Sequence, residues 1–322
     1  MTSLAQVTAL VDAHVSRDHV RFRAITLQIA AHVSSRSERG ADHLRKLVEN
    51  QQAVALVPLP SASGLLSAPS DLSTLEDMVL ASTARDRLDR VVLEQSRRSD
   101  LFAQGLRPAR KLLFTGPPGV GKTMAAGALS RAIGLPMFRV ELHGVISQFL
   151  GETSSKLAKV FEHVRSMPAV YLFDECDAIG AERSTLGSEA AGSEMRRVVN
   201  SLLQFIEDDR SDSLIIAATN HDQMLDSAIF RRFDEVIAFG SPTRDEVLAL
   251  VRRKLADIDV DQLDVSAICS AVANPKLGHA DVCSALDGAR KDHVLMGTAI
   301  DTRSIVAAVA KRARVTSSEA LS

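Results

Sequence analysis

The chain of 322 residues has no tryptophan and a single tyrosine, Tyr171, and its aromatic side chains amount to only 4%. Proteins that track single-stranded nucleic acid stack successive bases on exposed rings, so a chain this poor in rings is not built for that mode. Cysteine is equally scarce. Cys176, Cys269 and Cys283 are odd in number and show no C-x-x-C spacing, which argues against a disulfide framework and for reduced thiols in a cytoplasmic protein. No charge predominates, because 38 Lys and Arg stand against 40 Asp and Glu for a net charge of −2. A global basic excess that would draw the chain to nucleic acid is therefore missing. Long apolar runs are missing too, since none approaches the roughly 20 residues that span a bilayer. The first residues, Met1 to Val7, carry no basic stretch followed by an apolar core, so neither a membrane span nor a signal peptide is expected.

What is present is an ordinary globular balance of 46% apolar and 24% charged residues, at a length suited to about two domains. Within residues 1–52, apolar positions recur at helical spacing: Leu4, Val7, Leu10, Val11 and Val15, then Phe22, Ile25, Ile29 and Val33, then Leu44, Leu47 and Val48. They predict a small helical bundle. Roughly 50 residues is marginal for a free-standing core, so the bundle reads as a docking module for a substrate or adaptor. Residues 53–73, with Pro58, Pro60, Pro69 and several serines, read as a linker. From 74 to 242, helices alternate with strands expected at 111–114, 137–142, 170–173, 214–218 and 235–238. The clearest helical stripe is Met195, Val198, Val199, Leu202, Leu203 and Ile206. Such alternation predicts an α/β domain with a parallel sheet covered on both faces. After Pro242 the strands stop. Residues 243–314 read as four helices forming a small lid, and 315–322 as a polar tail.

The most informative stretch is Gly116, Pro117, Pro118, Gly119, Val120, Gly121, Lys122 and Thr123. It matches G-x-x-x-x-G-K-[ST], the phosphate-binding loop, and it follows the apolar run Leu112–Phe114 and precedes a helix start at Met124. The glycines let backbone N–H groups close on phosphate oxygens, and the helix N-terminus adds its positive dipole end. Lys122 is expected on the β- and γ-phosphates, and the Thr123 hydroxyl on Mg²⁺. A second motif ends the apolar strand Val170–Phe173 in Asp174 and Glu175. Asp174 suits the Mg²⁺ shell and Glu175 a general base for the attacking water. A third, Leu214 to Asn220, ends another apolar strand in Thr219 and Asn220, with Asn220 placed for the γ-phosphate or the lytic water. A fourth runs from Leu225 to Asp234 and holds the adjacent Arg231 and Arg232.

In this order the four motifs resemble the AAA ATPase family, over about residues 74 to 314. The resemblance implies a P-loop AAA module, ATP and Mg²⁺ as cofactors, and ATP hydrolysis. It implies that Arg231 and Arg232 enter a neighbouring subunit's site as fingers on the γ-phosphate, worth about 10³–10⁵ in rate in GTPases. Their short spacing is similar to that of katanin- and spastin-like members. The segment Ile146 to Thr153 resembles the first pore loop of protein-threading members, with Phe149 and Leu150 as the gripping pair and Gln148 where lysine is usual. Residues 182–193 correspond to a second pore-facing loop. Gly278-His279-Ala280-Asp281 resembles the lid element that approaches the nucleotide, with His279 in place of the usual glycine, so that His279 and Ala280 border the cofactor.

These features together lead to the expectation of a cytoplasmic, ATP-dependent protein-remodelling motor. It would work as a homo-oligomer, a hexamer by resemblance, that threads polypeptide through a central pore. Its short layout resembles compact bacterial members that pair with a separate subtilisin-like protease. The alternative is a nucleic-acid-associated AAA switch or loader, as in transposition or DNA maintenance, for which the helical N-terminal domain and the basic Arg107, Arg110 and Lys111 speak. A non-enzymatic ATP-binding scaffold is a third reading, against which Glu175, Asn220 and Arg231 speak.

Overall fold

Three apolar runs in the middle of the chain, residues 111–115, 170–173 and 214–219, form strands that are buried from end to end. The computed structural model describes residues 7–8, 25–26, 29, 64–68, 73–142, 150–176, 200–220, 227–256, 263–273 and 277–319. The chain divides into two units, 1–57 with 99–106, and 58–98 with 107–322. Of the first, the described residues are helical at 7–8, 25–26 and 29, and helix α2 (Arg98–Ala103) runs through it. The bundle expected over 1–52 otherwise lies outside the described residues, as does most of the linker.

The second unit carries a six-stranded sheet. In chain order its elements are β1 (Leu66–Ser67), α1 (Ser82–Ser96), β2 (Lys111–Thr115), α3 (Lys122–Ile133), β3 (Met137–Val140), α4 (Leu150–Ser166), β4 (Val170–Phe173), α5 (described over 200–208), β5 (Leu214–Thr219), α6 (Ser227–Phe230) and β6 (Glu235–Ala238). The sheet order is β1-β3-β4-β5-β2-β6. Five strands are parallel, and β1 alone is antiparallel, pairing Leu66 with Val140 and Ser67 with Arg139. β2, β4 and β5 are buried at every position, as strands covered on both faces must be. The structure differs from the sequence expectation at β1, where two residues of the proline- and serine-rich stretch add to the sheet. The main chain extends that pairing, since Glu141 N–H donates to Leu65 O at 2.9 Å.

Helix α3 lies against one face through small residues, and Ala125, Ala126, Ala128 and Leu129 join Leu112, Phe114, Leu172 and Ile216 in one core. Small side chains let helix and sheet approach closely. The single tyrosine, Tyr171, is fully buried, its hydroxyl 2.6 Å from His163 Nδ1 and 2.9 Å from Met167 O. Burial pushes the Tyr171 pKa up and that of His163 down, so both stay neutral inside the domain.

Among the described residues, four helices follow the sheet: α7 (Arg244–Lys254), α8 (Val265–Val272), α9 (His279–Met296) and α10 (Thr302–Glu319). Their second core is built on Val247, Val251, Ile268, Leu286, Ile305 and Val309. Thr243 and Glu246 begin α7 with a reciprocal capping box, which satisfies two otherwise orphaned N–H groups. Helix α10 continues to Glu319, past the boundary at 314 expected from composition. Residues 78–80 stitch the two cores together. Met78 and Leu80 pack on the sheet core and Val79, between them, packs on the lid core, as alternation along an extended segment allows. None of the described helices is long and apolar enough to cross a membrane.

Candidate active site

The loop between β2 and α3 is shaped by glycines at positive φ: Gly116 at 137°, Gly119 at 74° and Gly121 at 98°. Gly116 tolerates no side chain, because a Cβ there would lie 1.9 Å from Phe239 O. Gly121 caps α3 without any side-chain bond, leaving the helix N-terminus to its own N–H groups and dipole. Lys122 folds over the loop. Its Nζ donates to Gly116 O at 2.6 Å, to Pro117 O at 2.8 Å and to Asn220 Oδ1 at 2.7 Å. The loop lysine and the polar end of β5 are thereby brought together across nearly 100 residues of chain.

Next to this pair, Thr123 Oγ1 donates to Asp174 Oδ2 at 2.8 Å. Asp174 sits just beyond the C-terminal end of β4. Arg139 Nη2, reaching over from β3, lies 3.4 Å from the same carboxylate oxygen. Glu175 takes the left-handed backbone conformation, φ 53°, rare for a side-chain-bearing residue, and such strain concentrates at functional sites. Its N–H donates to Asp174 Oδ1 at 3.0 Å, and the next residue, Cys176, ties back to β5 through N–H to Ala218 O at 2.9 Å. Thr123 and Asp174 offer the hard oxygen donors that Mg²⁺ takes. Among the described residues no group of three His, Cys, Asp or Glu could hold a metal alone, which suits an ion that keeps waters and phosphate oxygens as its other ligands.

The lid forms the opposite wall. Gly278 approaches the loop so closely that a Cβ would lie 2.7 Å from Gly119 O and 2.9 Å from Pro118 O. Ala280 N–H donates to Gly119 O at 2.9 Å. Asp281 holds this turn in place, accepting from Gly278 N–H at 3.0 Å and from Arg312 Nε at 2.8 Å. His279 is turned toward Glu246, with Nε2 3.5 Å from Oε2. Burial pushes its pKa down while Glu246 opposes the shift.

Between the two walls lies a cavity of about 740 Å³, the size of a small-molecule site. The loop from Pro118 to Met124 lines it, with Arg139, Asp174, Glu175 and Asn220 from the strand ends and His279 and Ala280 from the lid. Several lining residues carry no sequence motif: Asp77, Met78 and Val79 from the stitch, and Leu250, Arg253, Lys254 and Cys283 from the lid. Arg139 did leave a signal, as the one charge in the otherwise buried strand Met-Phe-Arg-Val.

Arg231 and Arg232 are placed elsewhere. Neither lines the cavity; Arg231 is exposed, and Arg232 Nε pairs with Glu207 Oε2 at 3.1 Å. The same motif also serves the sheet, since Asp234 Oδ2 accepts from the N–H groups of Arg110 and Lys111 at 2.8 and 2.9 Å. Phe149 and residues 182–193 lie outside the described residues. Leu150 begins α4.

A glycine loop, a strand end with two carboxylates and a lid around one cavity are the makings of a nucleotide site. The profile of the ATPase family associated with various cellular activities (AAA) matches residues 112–241. The chain is 38% identical over 250 residues to the AAA family ATPase y4kL of Sinorhizobium fredii, covering 74% of this chain and 75% of that one. It is 32% identical over 181 residues to the peroxisomal ATPase PEX6 of Saccharomyces cerevisiae, covering 53% of this chain but 17% of that one. It is 33% identical to the ATP-dependent zinc metalloprotease FtsH 4 of Sphaerobacter thermophilus, covering 68% of this chain and 34% of that one. The ADP complex of the FIGL-1 AAA domain shares the fold at a TM-score of 0.57 and 22% identity, over 79% of this chain and 87% of that one. The chain belongs to the AAA family of ATPases, which bind and hydrolyse ATP.

Proposed function

We propose that the chain is an ATP-driven protein-remodelling motor that assembles as a ring, a hexamer by analogy with its family, and pulls polypeptide through a central pore. The observation that carries this reading is the split between the cavity and the arginines. Lys122, Asp174, Glu175 and Asn220 lie around the cavity, whereas Arg231 and Arg232 do not. In this reading Arg231 and Arg232 serve a neighbour's site instead, and a neighbour's arginines join Arg139 and Arg253 at this one.

In this reading the loop N–H groups and Lys122 bind the phosphates, and Met78, Val79 and Leu250 enclose the base. Thr123 and Asp174 hold Mg²⁺, which neutralises phosphate charge. Glu175 accepts the proton of the attacking water, a role worth about 10²–10⁴ in rate, while Asn220 orients that water and Lys122 releases it to do so. Because Ala280 N–H bonds Gly119 O, a shift of the loop on nucleotide exchange moves the lid. Residues 1–52 recruit the substrate or adaptor, Phe149 and Leu150 grip the polypeptide, and any protease acts as a separate subtilisin-like partner. The FtsH relative supports coupling to proteolysis, but this chain has no H-E-x-x-H.

The structure weighs against the nucleic-acid alternative at two of its three supporting residues. Arg110 pairs with Asp209, and Lys111 is buried with its Nζ on Glu207 O.

The test is Glu175→Gln protein with ATP, used to capture clients from lysate with and without Phe149→Ala. Hydrolysis should fall by about 10²–10⁴-fold while nucleotide binding and assembly persist, and protein clients should depend on Phe149. Nucleic acid retained regardless of Phe149 would overturn the motor reading.

A further inference from the structure

Arg139 has no part in the family motifs described above, yet it lines the cavity beside Thr123 and Asp174. It is the single charge in β3, whose other residues, Met137, Phe138 and Val140, are at most 5% exposed. β3 pairs with β4 in parallel, with Arg139 opposite Leu172. Met137 and Leu172 both pack into the core beneath α3, so Arg139 shares their face of the sheet and Asp174 lies two residues further along it. The guanidinium therefore reaches up the α3 face to the N-terminal end of that helix. There its Nη2 meets Asp174 Oδ2 at 3.4 Å, the oxygen that also accepts from Thr123 Oγ1 at 2.8 Å.

A simple surface ion pair would need neither partner in the cavity, but both line it. The Arg139 side chain is 43% exposed and that of Asp174 10%, so the cation is reachable from the cavity while the carboxylate is largely enclosed. Thr123 and Asp174 are the two oxygen donors this site offers a magnesium ion. An arginine side chain stays charged at every accessible pH, so the corner holds a fixed positive charge whether or not a metal is bound.

We infer that Arg139 is a built-in cation of the metal corner, competing with Mg²⁺ for Asp174 and partly replacing it as counter-charge to the nucleotide phosphates. Both effects have the same sign. With Arg139 present, a metal ion finds its carboxylate already paired and feels repulsion from a neighbouring cation. Without metal, the phosphates still meet a positive group beside Lys122. Each effect narrows the gap between metal-dependent and metal-free nucleotide binding. Arg139 acts through Asp174 and through charge, and so it is a positioning residue. The inference rests on the reading of the cavity as the nucleotide site.

The experiment is equilibrium binding of a fluorescent ATP analogue to the full chain carrying Glu175→Gln, once in saturating magnesium and once in excess chelator. The quantity of interest is the dissociation constant in chelator divided by that in magnesium. Arg139→Ala should raise that ratio by at least about fivefold, the lower range of a coupling between sites. Arg139→Gln, which keeps part of the stem but not the charge, should do the same. Arg139→Lys, which keeps the charge, should stay within roughly twofold of the arginine chain. A ratio that is unchanged in both uncharged variants overturns the inference, as does an equal weakening of both constants, which would mean a structural role only. Binding retained by the arginine chain in those cases would leave the nucleotide reading standing. If the arginine chain with intact fold, checked by circular dichroism, binds no nucleotide even with magnesium, that reading falls and the inference falls with it.

Discussion

The two walls of the cavity are built by different means. The phosphate-loop wall is anchored to the sheet: Phe239 N–H donates to Thr115 O at 2.7 Å and Phe239 O faces Gly116, so the loop rests on a main chain that cannot yield. The lid wall rests on the loop through a main-chain bond, Ala280 N–H to Gly119 O, on the stitch through the packing of Val79, and on the residue before it through an exposed ion pair, Arg253 with Asp77 at 2.7 Å. Exposed pairs of this kind contribute little. One wall is therefore built into the sheet, and the other meets it through few polar contacts and the packing of one side chain, Val79. The most direct way to break the comparison is to add the same methyl group to both walls.

At Gly116 the added Cβ would fall 1.9 Å from Phe239 O, at a φ of 137° that side-chain-bearing residues rarely adopt. Phe239 is buried and its N–H is bonded to Thr115 O, next to Gly116, so the two main chains are tied together at the point of overlap. Gly116→Ala should therefore destabilise the domain itself, by about 3 kcal/mol or more from steric overlap and backbone strain together. Thermal or denaturant unfolding without nucleotide measures it. A transition unchanged from the native chain would mean that the loop wall is as pliable as the lid.

At Gly278 the φ is an ordinary −98°, and the added Cβ would meet Gly119 O at 2.7 Å from the other side. Here the lid can swing back. Gly278→Ala should leave the unfolding transition of the ligand-free chain nearly in place. It should weaken nucleotide binding by about tenfold, the equivalent of about 1.4 kcal/mol. Loss of stability equal to that of Gly116→Ala, with nucleotide affinity retained, would erase the distinction between the walls.

The same distinction explains what the sequence disclosed. The loop wall was legible because its chemistry needs particular residue types at fixed spacing: glycines at 116, 119 and 121, then Lys122 and Thr123. The strand ends at Asp174, Glu175 and Asn220 were legible because polar residues interrupt fully apolar runs. The parallel sheet followed from alternation. The cavity-lining residues of the stitch and the lid were illegible for a physical reason. Met78, Val79, Leu250 and Cys283 look like any other packing residues, and only the path of the chain brings them to the cavity. The strand β1 was hidden because two residues hold it, by main-chain pairing that any sequence can make. Arg139 was visible as a charge in a strand, but its meaning depended on a partner 35 positions away that only the register of β3 with β4 supplies.

The smallest expected effect concerns His279, which stands in the lid wall beside Glu246 at 3.5 Å. Other charged groups near this turn are Asp281 and Arg312, paired with each other at 2.8 Å. Burial lowers the His279 pKa from its ordinary 6.5, and the opposing pull of Glu246 does not reverse the shift. Well above pH 6.5 the ring is neutral folded and unfolded, so it gives stability no slope there. As pH falls below that value the unfolded chain takes up the proton first, and stability declines until the pH passes the lowered value of the folded chain. His163 shifts in the same direction through burial alone, so His279→Gln should remove part of the acid destabilisation and leave the rest. Unfolding midpoints measured in steps between about pH 7.5 and 5.5, which bracket the ordinary histidine range, compare the two chains. If His279→Gln makes the acid decline steeper, the ring is held protonated by Glu246 in the folded lid. The lid wall would then contain a buried ion pair, and its contrast with the sheet-anchored wall would be smaller.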